Sequence, residues 1–326
     1  MKIIGIGNAL LDVLLRLDGD QILSVMGVKK GAMELIDESA MREILQAQAG
    51  MQRSEVPGGS VCNTMRAMAR LGAEVGYAGK IGSDNAGNVY EAKTGESGVD
   101  TYFVRVKGIT GCSTVLISPD GERTMATFLG PAATLSDEEI PEDILRRYDC
   151  VYMEGYLASN EKLFLPAMER AKRLGLKVAL NLSNFNIVDE FGRLLKEVIP
   201  AYVDILFSNE SEAEAYTGLP AREAMDVILK DVEIAVVTVG KDGAFAGANG
   251  QVVHEKALGG NVVDTTGAGD NFAAGFLYGY SVGATLKQSA QMGTLLSANV
   301  IETVGAQIPE ERWEQIKLKV NEILRK

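Results

Sequence analysis

The chain has 326 residues, 36 of them glycine, and a formal net charge of −12. That length with an average apolar content suits a globular α/β enzyme and excludes a fibrous or disordered chain. The acidic balance excludes nucleic acid or an anionic membrane as the main partner, because both require a basic face. Three cysteines (Cys62, Cys112, Cys150) stand far apart among apolar neighbours, and His254 is the single histidine. Neither a disulfide framework nor a zinc site is expected, the cysteines should be packed, and a reducing cytoplasm is the simplest home. A His-cluster metal site is ruled out, and a Ser–His–Asp hydrolase has no G-x-S-x-G to serve; His254 reads as a surface strand residue. No run approaches the ~20 apolar residues of a membrane helix.

In chain order, residues 3–7 read as a buried strand with no basic-then-apolar leader before it. Residues 59–71 read as a helix, since Val61, Met65, Met68 and Leu71 fall near one face. A strand at 75–79 and a helix at 85–97 follow. Next come a strand at 150–153, a helix at 161–174, a strand at 178–182 and a helix at 190–198. A strand at 205–208 precedes a helix from about Ser211, and 234–239 is another strand. Three helical stretches follow Asp270, the last at 310–324. This alternation is the pattern of βαβ units on a mostly parallel sheet. Residues 12–37 and 101–129 break the rhythm and read as β. The second holds Ser118-Pro119-Asp120-Gly121, a turn signal between two β-prone runs. The expectation is one domain over 1–326 in which these two regions form a small sheet, a lid over the main body.

The stretch Asp264-Thr265-Thr266-Gly267-Ala268-Gly269-Asp270 leaves a loop and enters a small-residue helix. Gly267 and Gly269 let backbone N–H groups approach a ligand, and a helix start favours an anion. Asp270 beside such an anion site suits chemistry in which a base takes a hydroxyl proton while N–H groups hold a transferring phosphoryl. A bare G-x-G-D is more simply a helix cap. Two absences favour the phosphate reading: Gly5-Ile6-Gly7-Asn8-Ala9-Leu10 lacks the third glycine of a dinucleotide fingerprint, and no G-x-x-x-x-G-K-[ST] occurs.

Pro57-Gly58-Gly59-Ser60-Val61-Cys62-Asn63 is a second Gly-rich turn, either a tight turn or a place where Asn63 meets hydroxyls. Asp12 follows the first strand and could accept hydrogen bonds from a diol. Asn209-Glu210-Ser211-Glu212 joins a strand to a helix; its oxygens suit a hydrated Mg²⁺ carrying phosphates, or else Ser211 simply caps the helix. Thr238-Val239-Gly240-Lys241-Asp242-Gly243 either lets a nucleotide lie against backbone or makes a hairpin turn. All these candidates fall at strand C-termini or helix N-termini, where open α/β sheets bind ligands.

Together these stretches resemble the ribokinase-like, or PfkB, carbohydrate kinase family over almost the whole chain. Residues 264–270 are similar to its D-T-x-G-A-G-D signature. Gly58-Gly59 with Asn63, followed by Gly79-Lys80-Ile81-Gly82-Ser83-Asp84, resembles its N-terminal signature, and Asn209 with Glu212 its N-x-x-E motif. The resemblance implies a three-layer α/β sandwich with a small β lid, and ATP-dependent phosphorylation of a primary hydroxyl on a sugar or nucleoside. It implies Asp270 as base, with Gly267, Ala268 and Gly269 as anion hole. Asp12, Gly58, Gly59 and Asn63 would hold the acceptor, and Asn181, Thr238, Gly240 and Gly243 would line the ATP site. Asn209 and Glu212 would organise Mg²⁺. Asp264 and Thr266 match part of a site for a monovalent cation such as K⁺, while Thr303 and Pro309 depart from the ribokinase residues there. Gly7-Asn8-Ala9-Leu10-Leu11-Asp12, Asn181-Leu182-Ser183 and residues 202–210 are closest to the adenosine kinase branch, with Tyr156 the one candidate to stack on a base. A ribokinase- or fructokinase-type sugar kinase is the alternative. More remote are a sugar or nucleotide sensor and a nicotinamide dehydrogenase. The lid leaves both a monomer and a lid-mediated homodimer open.

Overall fold

Runs such as Ile3–Ile6 and Ile234–Thr238 are apolar at nearly every position, which only a sheet covered on both faces can bury. The computed structural model describes residues 1–25, 27–31, 33–47, 53–120 and 122–326, and it contains such a sheet. The strands are, in order, β1 (Ile3–Ile6), β2 (Leu10–Arg16), β3 (Met33–Leu35), β4 (Arg53–Gly58), β5 (Val75–Gly82), β6 (Asp100–Val106) and β7 (Cys112–Ile117). They continue as β8 (Arg123–Phe128), β9 (Cys150–Glu154), β10 (Lys177–Asn181), β11 (Ile205–Asn209), β12 (Ile234–Thr238), β13 (Ala244–Ala248) and β14 (Gln251–Glu255).

The large sheet has the order β14-β13-β12-β11-β10-β9-β1-β5-β6, parallel except for the two pairings at its β14 end, β12–β13 and β13–β14. Its residues alternate between two cores. Ile3, Tyr77, Tyr152 and Phe207 face the helices Ser60–Leu71, Ala268–Ser281, Leu286–Val300 and Trp313–Leu324. Ile4, Met153, Leu206 and Val237 face the helices Phe164–Arg173, Phe185–Tyr202, Glu210–Thr217 and Ala221–Ile228. The result is the three-layer arrangement expected of the family, with the helix ends and strand C-termini of one edge left to build a site.

The second sheet has the order β3-β8-β7-β2-β4. Its core-facing residues on β2 are Leu11, Val13 and Leu15; Leu10, Asp12 and Leu14 alternate with them on the other face. Register places Asp12 beside Ser113 and Leu14 beside Val115. Two departures from the sequence reading matter. Residues 101–106, expected in the small sheet, belong to β6, which pairs in parallel with β5 and forms the edge of the large one. Residues 53–58 were not expected as a strand, because Arg-Ser-Glu-Val-Pro-Gly lacks apolar alternation; they form an edge strand, the position that tolerates Pro57. Gly121 of the expected turn, and residues 26 and 32 of the first lid region, lie outside the described residues.

The three cysteines are buried and free. His254 is exposed on β14, its ring stacked on Phe245 with centroids 4.5 Å apart. Among the described residues no helix is long and apolar enough to cross a membrane.

Candidate active site

The helix Ala268–Ser281 begins at Gly267, whose φ of 73° is left-handed and whose missing side chain avoids Ala306. A Cβ added at Gly267 would lie 2.5 Å from that of Ala306, so this turn admits only glycine. At Gly269 an added Cβ would meet nothing within 4 Å. The amides of this first turn have no intrahelical acceptor, so the open space in front of Gly269 is a place where N–H groups can meet an anion.

Asp270 sits in the same turn, gripped by the facing helix. Ser60 Oγ donates to its Oδ1 at 2.6 Å and Asn63 Nδ2 donates to its Oδ2 at 2.9 Å. Thr64 Oγ1 donates to the Asp270 carbonyl at 3.2 Å. Burial raises the Asp270 pKa above the ordinary carboxylate value, and the Ser60 and Asn63 bonds oppose that rise. The arrangement is a desolvated carboxylate kept available as a proton acceptor.

Asp12 lies over Gly58, where an added Cβ would be 2.3 Å from its carboxylate. Gly59 has φ 88°, and a Cβ there would be 2.4 Å from the Asn8 carbonyl oxygen. Burial pushes Asp12 up to about 7; the Asp270 charge adds to the rise and Arg66 opposes it. Glu154, at the end of β9, accepts from Asn8 N at 2.9 Å, Asn8 Nδ2 at 3.0 Å and Val61 N at 3.2 Å. Burial carries it to about 7 against those donors. Among the described residues the Asn63 Oδ1 is buried without a partner.

Asn209 and Glu212 cap their helix reciprocally. Asn209 Oδ1 accepts from Glu212 N at 2.8 Å, and Glu212 accepts from Asn209 N at 2.9 Å and Nδ2 at 2.7 Å. Burial raises Glu212 to about 7, opposed by the Asn209 N–H and reinforced by the Asp270 charge. Both residues line one cleft with Asn181, Thr238 and the 267–270 turn. This all-oxygen pair beside the anion turn fits a hard Mg²⁺ held through its own water molecules. A cavity of about 380 Å³ adjoins the cleft through Thr238, Ala268 and Gly269, and adds Gly240, Gly243 and the apolar Leu258, Val262 and Ile301. A mostly apolar cavity next to an anion turn suits a nucleotide, base and phosphates in that order.

Asp264 and Thr266 stand apart from that pair. Asp264 Oδ1 accepts from Thr266 N and Oγ1, and its Oδ2 accepts from Gly305 N at 2.6 Å. Asp264 ties the loop to Gly305, and neither residue lines the cleft with Asn209 and Glu212. Among the described residues no cluster of three His, Cys, Asp or Glu side chains forms a metal cage. Sequence reasoning missed Ser60, Thr64, Asn8 and Glu154. Ser60 and Thr64 were visible only as helix residues near Asn63, whereas a buried Glu ending an apolar strand is a signal that could have been read.

The model of the pfkB family of carbohydrate kinases matches residues 29–313. The adenosine kinase of Schizophyllum commune is 28% identical over 97% of this chain and 98% of its own. A ribokinase of Haemophilus influenzae is 27% identical over 77% of this chain and 82% of its own. The crystal structure of the adenosine kinase from Sinorhizobium meliloti superposes with a TM-score of 0.86 at 31% identity, covering 98% of both chains.

Proposed function

The chain belongs to the pfkB family of carbohydrate kinases, phosphotransferases that act on hydroxyl groups, and we propose that it phosphorylates the primary hydroxyl of adenosine with ATP. The observation that carries this reading is the Asp270 carboxylate, held by Ser60 and Asn63 beside the open Gly269 turn. Asp270 removes the acceptor's hydroxyl proton as that oxygen attacks the γ-phosphorus and the bond to the departing ADP oxygen breaks. The amides of Ala268 and Gly269 stabilise the transferring group. Asn209 and Glu212 would hold the waters of Mg²⁺, which supplies charge neutralisation on the phosphates. The small sheet acts as a lid over the acceptor, excluding water and limiting ATP hydrolysis.

Support for a nucleoside over a free sugar comes from the face of the small sheet that carries Asp12. Leu10 and Leu14 flank the carboxylate there, and Leu35, paired in register with Thr127, is exposed. Apolar side chains around a diol-binding acid suit a nucleobase attached to a ribose. Tyr156 lines the cleft and offers a ring. The test is a coupled ADP-release assay over adenosine, other nucleosides, ribose, fructose and 2-keto-3-deoxygluconate. Adenosine is expected to give the highest kcat/KM; a free sugar that exceeds it makes the chain a sugar kinase, and tight binding without turnover of any acceptor makes it a sensor.

A further inference from the structure

Pro57 and Gly58 close the edge strand β4 and are buried, so their carbonyl groups must find donors inside the protein. Side chains of the main body supply them. The Gly58 carbonyl accepts from Tyr90 Oη at 2.9 Å, on the helix Asn85–Glu96. The Pro57 carbonyl accepts twice, from Arg66 Nη1 at 3.3 Å and from Gln307 Nε2 at 2.9 Å. Arg66 makes the longer contact, and its Nε is committed to Ser97 Oγ at 2.9 Å. Register sets Pro57 opposite Leu11 and Val56 opposite Asp12. Whatever holds the Pro57 carbonyl therefore holds the strand pair that carries Asp12 and leads into Gly59.

Gln307 is half-buried in residues 301–309, a connection without helix or strand that follows the helix Leu286–Val300. Further attachments of this connection run to the anion turn. Ala306 packs against Gly267, and its carbonyl accepts from Asn271 Nδ2 at 3.0 Å. The same Nδ2 reaches the Gly267 carbonyl at 2.9 Å, so Asn271 clasps both residues. Gly305 N donates to Asp264 Oδ2 at 2.6 Å. Thr303 Oγ1 donates to the Gln307 carbonyl at 3.3 Å, and Ile308 is buried in the core beside it. Two adjacent residues, Ala306 and Gln307, thus touch the anion turn and the strand that ends at Gly58.

We propose that Gln307 is a positioning residue: through the Pro57 carbonyl it fixes the acceptor side of the site against the anion turn. Phosphoryl transfer depends on the attacking oxygen and the phosphorus being held in line, and a shift of about 1 Å is enough to slow it. The inference rests on the reading of Asp12 and the Gly58–Gly59 turn as the acceptor side; it is indifferent to which acceptor is phosphorylated.

The experiment is steady-state kinetics of the full chain with ATP and adenosine, or with the panel acceptor that exceeds it. Gln307→Met keeps the length of the side chain and removes the donor. Acceptor kcat/KM should fall about tenfold, the scale of one lost hydrogen bond, with the ATP KM unchanged. Gln307→Glu turns an oxygen toward the Pro57 carbonyl and should lose more. Gln307→Lys restores an N–H donor and should recover most of the loss. Acceptor binding by calorimetry should weaken in the same order, so the comparison does not depend on turnover. Gly59→Ala, on the same turn, is the reference. The proposal is overturned if Gln307→Met leaves acceptor kcat/KM in place while Gly59→Ala raises the acceptor KM. It is equally overturned if Lys is no better than Met, or if both substrates' KM values rise together. If Gly59→Ala leaves the acceptor KM unmoved, the acceptor-side reading itself falls, and the inference with it.

Discussion

Burial and hydrogen bonding act on the Asp270 carboxylate in opposite directions. As base it must be ionised, so activity should fall as pH drops through its pKa. Ser60→Ala removes one bond that favours the ionised form. The acid limb of the kcat/KM profile should therefore move to higher pH, and an unmoved limb would show that Ser60 does not tune the base. Asp270→Asn keeps the shape and removes the proton acceptor. Turnover should fall by about 100-fold or more with ATP affinity little changed; near-normal turnover in the folded variant contradicts the role. Asp270 itself was legible from the sequence, since few patterns put an acid inside a Gly-rich helix start. Its holders Ser60 and Thr64 were not, because an ordinary helix hydroxyl gains meaning only when another helix, some 200 residues away, brings a carboxylate to it.

At the scale of elements, the Gly58–Gly59 turn joins β4 to the helix that grips Asp270, and its geometry is strained for any other residue. Gly59→Ala places a Cβ at φ 88° and 2.4 Å from the Asn8 oxygen. It should cost roughly 1–3 kcal/mol and raise the acceptor KM while leaving the ATP KM in place. Equal change in both constants would mean the turn supports the whole cleft. Strands on the large sheet were readable because both faces are buried and their apolar runs are nearly continuous. The small sheet was harder. Pro57 and three polar residues hide β4, and the half-buried residues of β6 look the same on the edge of either sheet. The helix Glu38–Ala47 was overlooked because its surroundings read as β.

For the whole molecule, the site carries a stability cost. Asp12, Glu154 and Glu212 are each raised to about 7 by burial, so between the ordinary carboxylate range and about 7 the folded state binds more protons than the unfolded one. Their contribution is complete at acid pH and is lost as pH rises through about 7. The thermal midpoint of Glu212→Gln should fall less than that of the wild-type chain between pH about 5 and about 8. An unchanged difference would mean Glu212 stays ionised throughout. In the proposed reaction both sheets contribute: the large one carries Asn209 and Glu212 to the cleft lined by residues 267–270, and the small one carries Asp12 between Leu10 and Leu14. The most direct test of the account is the product formed from radiolabelled γ-phosphate ATP and adenosine. Label is expected in AMP, at the 5′ oxygen, in one-to-one ratio with ADP; label appearing only in inorganic phosphate, or only in a phosphorylated sugar when sugars are offered alongside, would contradict the proposed reaction.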